Sequence, residues 1–153
     1  MNALELKIPP PVVALLIAAA MWGISLATLS AEVSAPIRVV AAIAIALAGV
    51  GIAISGTIAF RRARTTVNPL KPETTSSLVT SGVYRFTRNP MYVGLALLLL
   101  AWAAFLSSAL ALLGPLVFIL YISRFQIVPE ERVLSGMFGA AYSTYQAKVR
   151  RWL

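Results

Sequence analysis

The sequence has 153 residues, of which 59% are hydrophobic and 12% charged, and its formal net charge is +8. Soluble domains are about 45–50% apolar and about 25% charged, so this composition indicates an integral membrane protein with one domain over residues 1–153. The absence of Cys, His and Asp excludes disulfides, the usual zinc sites, a thiol nucleophile and a Ser-His-Asp triad. We therefore expect a cofactor, and no metal ion, to supply any chemistry.

The first half of the chain contains two charge-free segments that predict membrane spans. The charge-free residues are 11–30 and 39–60, and the spans predicted from them, 11–30 and 37–60, are each long enough to cross a hydrocarbon core of about 30 Å as a helix. The second segment carries small residues that permit close helix packing, and this face could also serve a homodimer. These residues are Ala44, Ala48, Gly49, Gly51 and Gly56.

The third charge-free run, residues 89–123, is too long for one span and short for two. It predicts a hairpin of two short helices, over 90–106 and 109–128, with a hinge at Ser107-Ser108. Gly114-Pro115 should start or kink the second of these helices. The predicted fold is therefore all-α, with about four transmembrane helices.

The basic residues set the predicted orientation. If four spans place both termini in the cytoplasm, twelve of the 13 basic residues are cytoplasmic and only Arg38 is outside. The polar segments 61–88 and 129–153 then face the cytosol, so any active site opens there. This pattern predicts a bacterial inner-membrane protein and explains the positive charge without a nucleic-acid partner.

The segment after the last span predicts a C-terminal amphipathic helix at the cytosolic membrane surface. Pro129 suits its first turn, and Glu130 and Glu131 suit the positive end of its dipole. Lys148, Arg150 and Arg151 are placed to meet anionic headgroups. Residues that recur every three or four positions share its predicted apolar face: Leu134, Phe138, Ala141, Tyr145, Val149 and Trp152.

Asn89-Pro90 is the sharpest local signal for a site, because Asn is a preferred N-cap and Pro a preferred first helical residue. The unpaired N–H groups of this helix start, preceded by Arg85 and Arg88, form a candidate anion site. The arginines could equally anchor the span at the headgroups, and Tyr84 and Tyr92 could belong to an interfacial aromatic belt.

Glu130 and Glu131 also allow two interpretations. They could act only as helix-start charges. They could instead form the second wall of a site, because they follow span four at the level where Arg88 enters span three. Such a site, with carboxylates on one side and N–H groups on the other, would suit a zwitterion with an added positive centre.

Two ordered blocks of the sequence resemble the integral-membrane methyltransferases of the isoprenylcysteine carboxyl methyltransferase and phospholipid N-methyltransferase group. Residues 78–94 (LVTSGVYRFTRNPMYVG) resemble the family's G-x-Y-x-x-x-R-[H/N]-P-x-Y-x-G signature. Residues 124–152 are similar to its E-E-x-x-L…F-G-x-x-Y-x-x-Y ending. Eukaryotic carboxyl methyltransferases have His where this chain has Asn89, whereas Asn is familiar in bacterial relatives.

The resemblance implies S-adenosylmethionine as methyl donor, held by residues 74–94 and 124–153 at the cytosolic ends of the last two spans. It implies catalytic roles for Arg88, Glu130 and Glu131. The implied cofactor-binding residues are Val79, Tyr84, Arg88, Asn89, Pro90, Tyr92, Gly94, Glu130, Tyr142 and Tyr145.

The acceptor implied by the resemblance is lipophilic and enters from the bilayer. We favour O-methylation of an isoprenylcysteine-like carboxylate, which needs an arginine but no general base. If the reaction is instead N-methylation of a phospholipid amine, Glu130 or Glu131 would take the released proton. The chain could also be a non-catalytic membrane subunit, a reductase of related fold, or a small multidrug-type exporter, which would need an ionisable residue within the bilayer.

Overall fold

The computed structural model describes residues 5–28, 32–65, 70 and 72–153, and these residues form helices without strands. The end of the first predicted span, at residue 30, and Lys71 lie outside the described residues. Three short 3₁₀ turns, Pro72–Thr74, Gly82–Arg85 and Leu110–Leu112, connect the longer helices. The α-helices are α1 (Pro10–Ala27), α2 (Ala35–Arg62), α3 (Pro90–Leu106), α4 (Leu113–Ile122) and α5 (Val128–Lys148).

The helices have the length and composition of membrane spans, as the composition predicts. Within the described residues, three helical stretches are long and apolar enough to cross a membrane, and α3 is a shorter apolar helix. Large side chains such as Leu15, Leu47 and Leu120 are more than half exposed, which water would disfavour and lipid tails accept. The all-α membrane fold predicted from the sequence is confirmed.

Helices α2 and α3 form the closest helix pair because glycines face each other across their contact. A Cβ placed on Gly94 would lie 2.6 Å from the carbonyl oxygen of Gly49, and one on Gly56 would lie 3.0 Å from the Pro90 ring. The packing role predicted for the small residues of α2 is confirmed at Gly49 and Gly56. Gly51 faces open space, so a dimer through the remaining part of this face stays a prediction.

The turn between α3 and α4 lies at the predicted hinge. Helix α3 has the predicted bounds and ends where Ser107 adopts a left-handed conformation, with φ 52°. The Ser108 hydroxyl forms a hydrogen bond of 3.0 Å with the Thr28 hydroxyl at the end of α1. Gly114 lies in the first turn of α4, as expected, and packs against Met21 of α1.

A π-helical segment, Ser123–Ile127, joins α4 directly to α5. Pro129 has no N–H for the carbonyl of Phe125, and its ring would clash with that carbonyl in a regular α-helix. The Phe125 oxygen accepts the N–H of Leu6 instead, at 3.1 Å. Pro129 therefore lies in the first turn of α5 as predicted, but α5 has no free N-terminal dipole end for Glu130 and Glu131. The charged residues begin at Arg124, so we assign 110–123 as the membrane-spanning part.

The predicted apolar face of the tail helix is partly wrong. Gly139 has φ 50° and ψ −124°, which breaks the helical geometry inside α5. The buried residues beyond this break are Tyr142 and Tyr145, whereas Ala141 is exposed. Helix α5 ends at Lys148, so Val149 and Trp152 do not lie on it.

Residues 149–153, which we call the strap, leave α5 in an extended conformation and run back towards α3. The N–H of Arg88 donates to the carbonyl of Arg150 at 3.0 Å. The Trp152 indole packs against the core and donates to the Ser123 hydroxyl at 3.1 Å. Arg151 pairs with Glu131 at 2.6 Å rather than pointing to lipid headgroups, so the strap closes over the junction of α3 and α5.

Candidate active site

A cavity of about 310 Å³ lies where the start of α3 faces the first turns of α5. The start of α1, the end of α2 and the segment before α3 complete its wall. The described lining residues are Pro10, Pro11, Phe60, Pro72, Thr75, Ser77, Leu78, Val79, Tyr84, Arg88, Asn89, Met91, Tyr92, Leu95, Glu130, Glu131, Leu134, Tyr142 and Tyr145. The lining is therefore mainly apolar or aromatic, with a few charged groups, as in a small-molecule site.

Glu130 is a half-buried residue whose carboxyl group is held by two neutral donors. The Tyr92 hydroxyl and the Gln126 amide both donate to its Oε1 atom, at 2.6 Å and 2.7 Å. Desolvation raises the pKa of Glu130 to about 7, although both hydrogen bonds oppose this shift. Glu130 can therefore exchange a proton near neutral pH.

Glu131, the neighbouring carboxylate, is shared by two arginines. Arg88 Nη2 lies 3.1 Å from its Oε1 atom, and the side chain of Arg151 contacts both of its oxygens. The Nε and Nη1 atoms of Arg88 are buried and have no hydrogen-bond partner among the described residues. A buried charged donor without a partner costs more than about 1–3 kcal/mol, so these groups fit an anion supplied by a ligand.

Tyrosines connect α5 to the segment before α3. The hydroxyl of Tyr145 donates to the carbonyl of Tyr84 at 2.7 Å. The Tyr84 ring meets the ring of Phe60 edge to face, with centroids 5.4 Å apart. Burial raises the pKa of the Tyr84 phenol above its ordinary value, so this residue stays neutral in the wall of the cavity.

Asn89 occupies the N-cap position of α3 with Pro90 after it, but its side chain makes no capping bond. The side-chain amide donates instead to the carbonyl of Arg151 at 2.9 Å. The capping function expected of this side chain is therefore wrong. The signature Asn fixes the strap to the start of α3.

The structure gathers most of the residues that the resemblance selected. Arg88, Glu130 and Glu131, the predicted catalytic residues, line one cavity, as do eight of the ten predicted cofactor-binding residues. Pro90 and Gly94 do not line it, because both pack against glycines of α2. Arg85, the other arginine of the candidate anion site, is exposed and lies outside the lining. The contribution of each lining residue to ligand binding remains a prediction.

Several residues in or beside the site were not predicted from the sequence. Gln126 stands four residues before Glu130 on one helix, a spacing that could have identified it. Arg151 is predicted to lie at the membrane surface. Its contact with Glu131 has no local signal, because the two residues are 20 positions apart in sequence. No local signal identifies the apolar lining residues Pro10, Pro11, Phe60, Met91 and Leu95.

The fold and the cavity define a helical membrane protein with a cavity at one end of its spans. The chain belongs to the phospholipid methyltransferase family, whose model matches residues 37–141. It is 52% identical over 63 residues to an uncharacterized protein of Haemophilus influenzae, a match that covers 41% of this chain and 100% of that protein. No solved structure matches significantly. Family membership makes the chain a membrane methyltransferase.

Proposed function

We propose that the protein transfers a methyl group from S-adenosylmethionine to a lipid acceptor at the cytoplasmic face of a bacterial inner membrane. The observation that carries this proposal is the pair of buried, unpartnered donors on Arg88, a residue that lines the cavity. The amino-acid end of S-adenosylmethionine provides a carboxylate, which can accept a charge-assisted hydrogen bond from one of these donors.

The other residues of the cavity fit the remaining parts of this donor. Glu130 and Glu131 would offer carboxyl groups to its positive centres, and the rings of Tyr84 and Tyr142 would offer surfaces to an adenine base. When bound, S-adenosylmethionine supplies a methyl group that its sulfonium already activates. The chain then has to orient the acceptor, exclude water and manage one proton.

The charges of the cavity favour an amine acceptor over the carboxylate favoured by the sequence. Among the described lining residues Arg88 is the only cation, and the donor carboxylate would occupy it. An amine acceptor must lose a proton, which Glu130 can accept because its pKa is about 7. Methylation of a lipid amine is therefore our first candidate reaction, and O-methylation of a lipid carboxylate is the second.

The arrangement of the helix ends supports a cytosolic site with access from lipid. The start of α1, the end of α2 and the start of α3 all line the same cavity, as alternating crossings of one bilayer require. Met91, Leu95 and Leu134 provide an apolar side to the cavity. The headgroup of an acceptor can reach Glu130 while its hydrocarbon tail remains in the membrane.

Two measurements on the purified protein test the proposal. Isothermal titration in detergent should show binding of S-adenosylhomocysteine, and the absence of binding would contradict the proposed donor. Proteoliposomes with phosphatidylethanolamine, or with an S-farnesylcysteine derivative, are then incubated with radiolabelled S-adenosylmethionine. Label in a base-stable phospholipid supports N-methylation, whereas a base-labile methyl ester supports O-methylation. Donor binding without labelled product in either preparation would favour a non-catalytic subunit.

A further inference from the structure

We propose that Arg151 is a positioning residue, which keeps an unpartnered N–H group of Arg88 available to the carboxylate of the methyl donor. This inference rests on the proposed function. Arg151 does not line the cavity, and its side chain remains 38% exposed. It therefore acts on the site through Glu131 and makes no contact with a ligand there.

The geometry at Glu131 explains how Arg151 acts. Its Nε donates to Oε1 at 3.1 Å and its Nη2 donates to Oε2 at 2.6 Å, which is the two-pronged pairing that guanidinium and carboxylate groups favour. Arg88 reaches the same carboxylate with Nη2 alone, on the Oε1 atom that is already shared. Its Nε and Nη1 remain unpartnered among the described residues.

Removing the Arg151 side chain would release Oε2 of Glu131. Arg88 could then turn its own planar edge onto both oxygens, because this arrangement satisfies more of its buried donors. One of the two groups that now lack a partner, Nε or Nη1, would then be consumed inside the protein. The competition between the two arginines for one carboxylate thus keeps the anion site open.

Hydrogen bonds of the strap fix Arg151 relative to the start of α3, next to Arg88. The carbonyl of Arg151 accepts hydrogen bonds from the Asn89 amide at 2.9 Å and from the Thr87 hydroxyl at 3.4 Å. The N–H of Arg88 binds the carbonyl of Arg150 at 3.0 Å. These bonds flank Arg88 on both sides, so the strap and the arginine of the cavity form one unit.

The test compares two ligands by titration in detergent: S-adenosylhomocysteine and its decarboxylated analogue. The ratio of their dissociation constants reports the carboxylate contact alone. For Arg151→Gln we expect binding of S-adenosylhomocysteine to weaken at least tenfold and binding of the analogue to change less than twofold. Lys148→Gln removes one positive charge from an exposed position nearby and should leave both constants unchanged.

The remaining outcomes also decide the matter. An unchanged ratio in Arg151→Gln, whether both affinities persist or both fall equally, would overturn the proposal, because the loss would then not involve the carboxylate. Arg151→Lys, which retains charge without the planar edge, should give an intermediate ratio, and a ratio equal to that of the unsubstituted protein would contradict the role of the two-pronged pairing. If the unsubstituted protein does not bind S-adenosylhomocysteine, the proposed function fails before the role of Arg151 is reached.

Discussion

Replacement of Arg88 by Lys should separate ligand binding from membrane anchoring. Both residues carry a positive charge, so Arg88→Lys preserves the charge distribution that orients the spans. The ammonium group can still pair with Glu131. It cannot also direct an N–H group to a second anion from a fixed planar position, because the guanidinium group is lost.

The size of the effect follows from the two donors that the structure leaves without partners. Nε and Nη1 of Arg88 are buried at the cavity, and a hydrogen bond to a charged group contributes about 1.5–3 kcal/mol. Loss of one such bond lowers kcat/KM by roughly 10- to 150-fold, since about 1.4 kcal/mol corresponds to a factor of ten. Loss of both would exceed this range.

Methyl transfer from radiolabelled donor, measured in proteoliposomes, gives the readout, and yield and cysteine labelling verify insertion. Arg85→Lys is the matched control, because Arg85 is exposed three residues earlier and does not line the cavity. We expect this variant to retain nearly full activity. Equal activity of the two Lys variants would refute the reasoning and return Arg88 to the role of a headgroup anchor.

Three further changes test the acid–base group, the helix packing and the topology. Because burial raises the pKa of Glu130 to about 7, its basic form appears as pH rises through 7, and the rate of amine methylation should increase over that range. The Glu130→Gln variant should be at least tenfold slower, and its rate should not show this increase. An unchanged pH profile would exclude Glu130 as the base. Gly94→Ala should reduce stability in detergent by about 1–3 kcal/mol, because its Cβ would lie 2.6 Å from a backbone oxygen of α2. Gly51 faces open space, so Gly51→Ala should not reduce stability. Equal melting temperatures for the Gly94→Ala and Gly51→Ala variants would contradict the close packing of Gly94 against α2. A single cysteine at Lys148 should react from the cytoplasm and one at Ala109 from the opposite side; the reverse pattern would invert the proposed orientation.

Local patterns determined much of the architecture in advance. Charge-free runs specify spans, because a charged side chain is expensive in a hydrocarbon core. Asn89-Pro90 and Ser107 mark the ends of α3 correctly, since Pro starts a helix and a left-handed residue stops one. Gly49 and Gly94 meet because only residues without side chains allow such close backbone approach.

The resemblance to the family signature predicted which residues form the site, but only the structure shows which group each side chain contacts. The amide of Asn89 holds the strap instead of capping α3. Gly139 interrupts a helix whose regular period had predicted an unbroken apolar face. The failure is physical: a periodic pattern reports which residues could share a face, and a single positive φ angle changes the direction of everything after it.

The sequence by itself determined a helical membrane protein, the ends of its third helix and the residue types available for chemistry, because these depend on neighbours a few positions away. Only the tertiary structure decided that Glu130 pairs with Tyr92 across 38 residues and that Arg88 and Arg151 compete for Glu131. Such pairs form when the strap and α5 fold back onto α3. Carboxylates and guanidinium groups removed from water must find partners, and the packing of distant segments decides which partners are within reach.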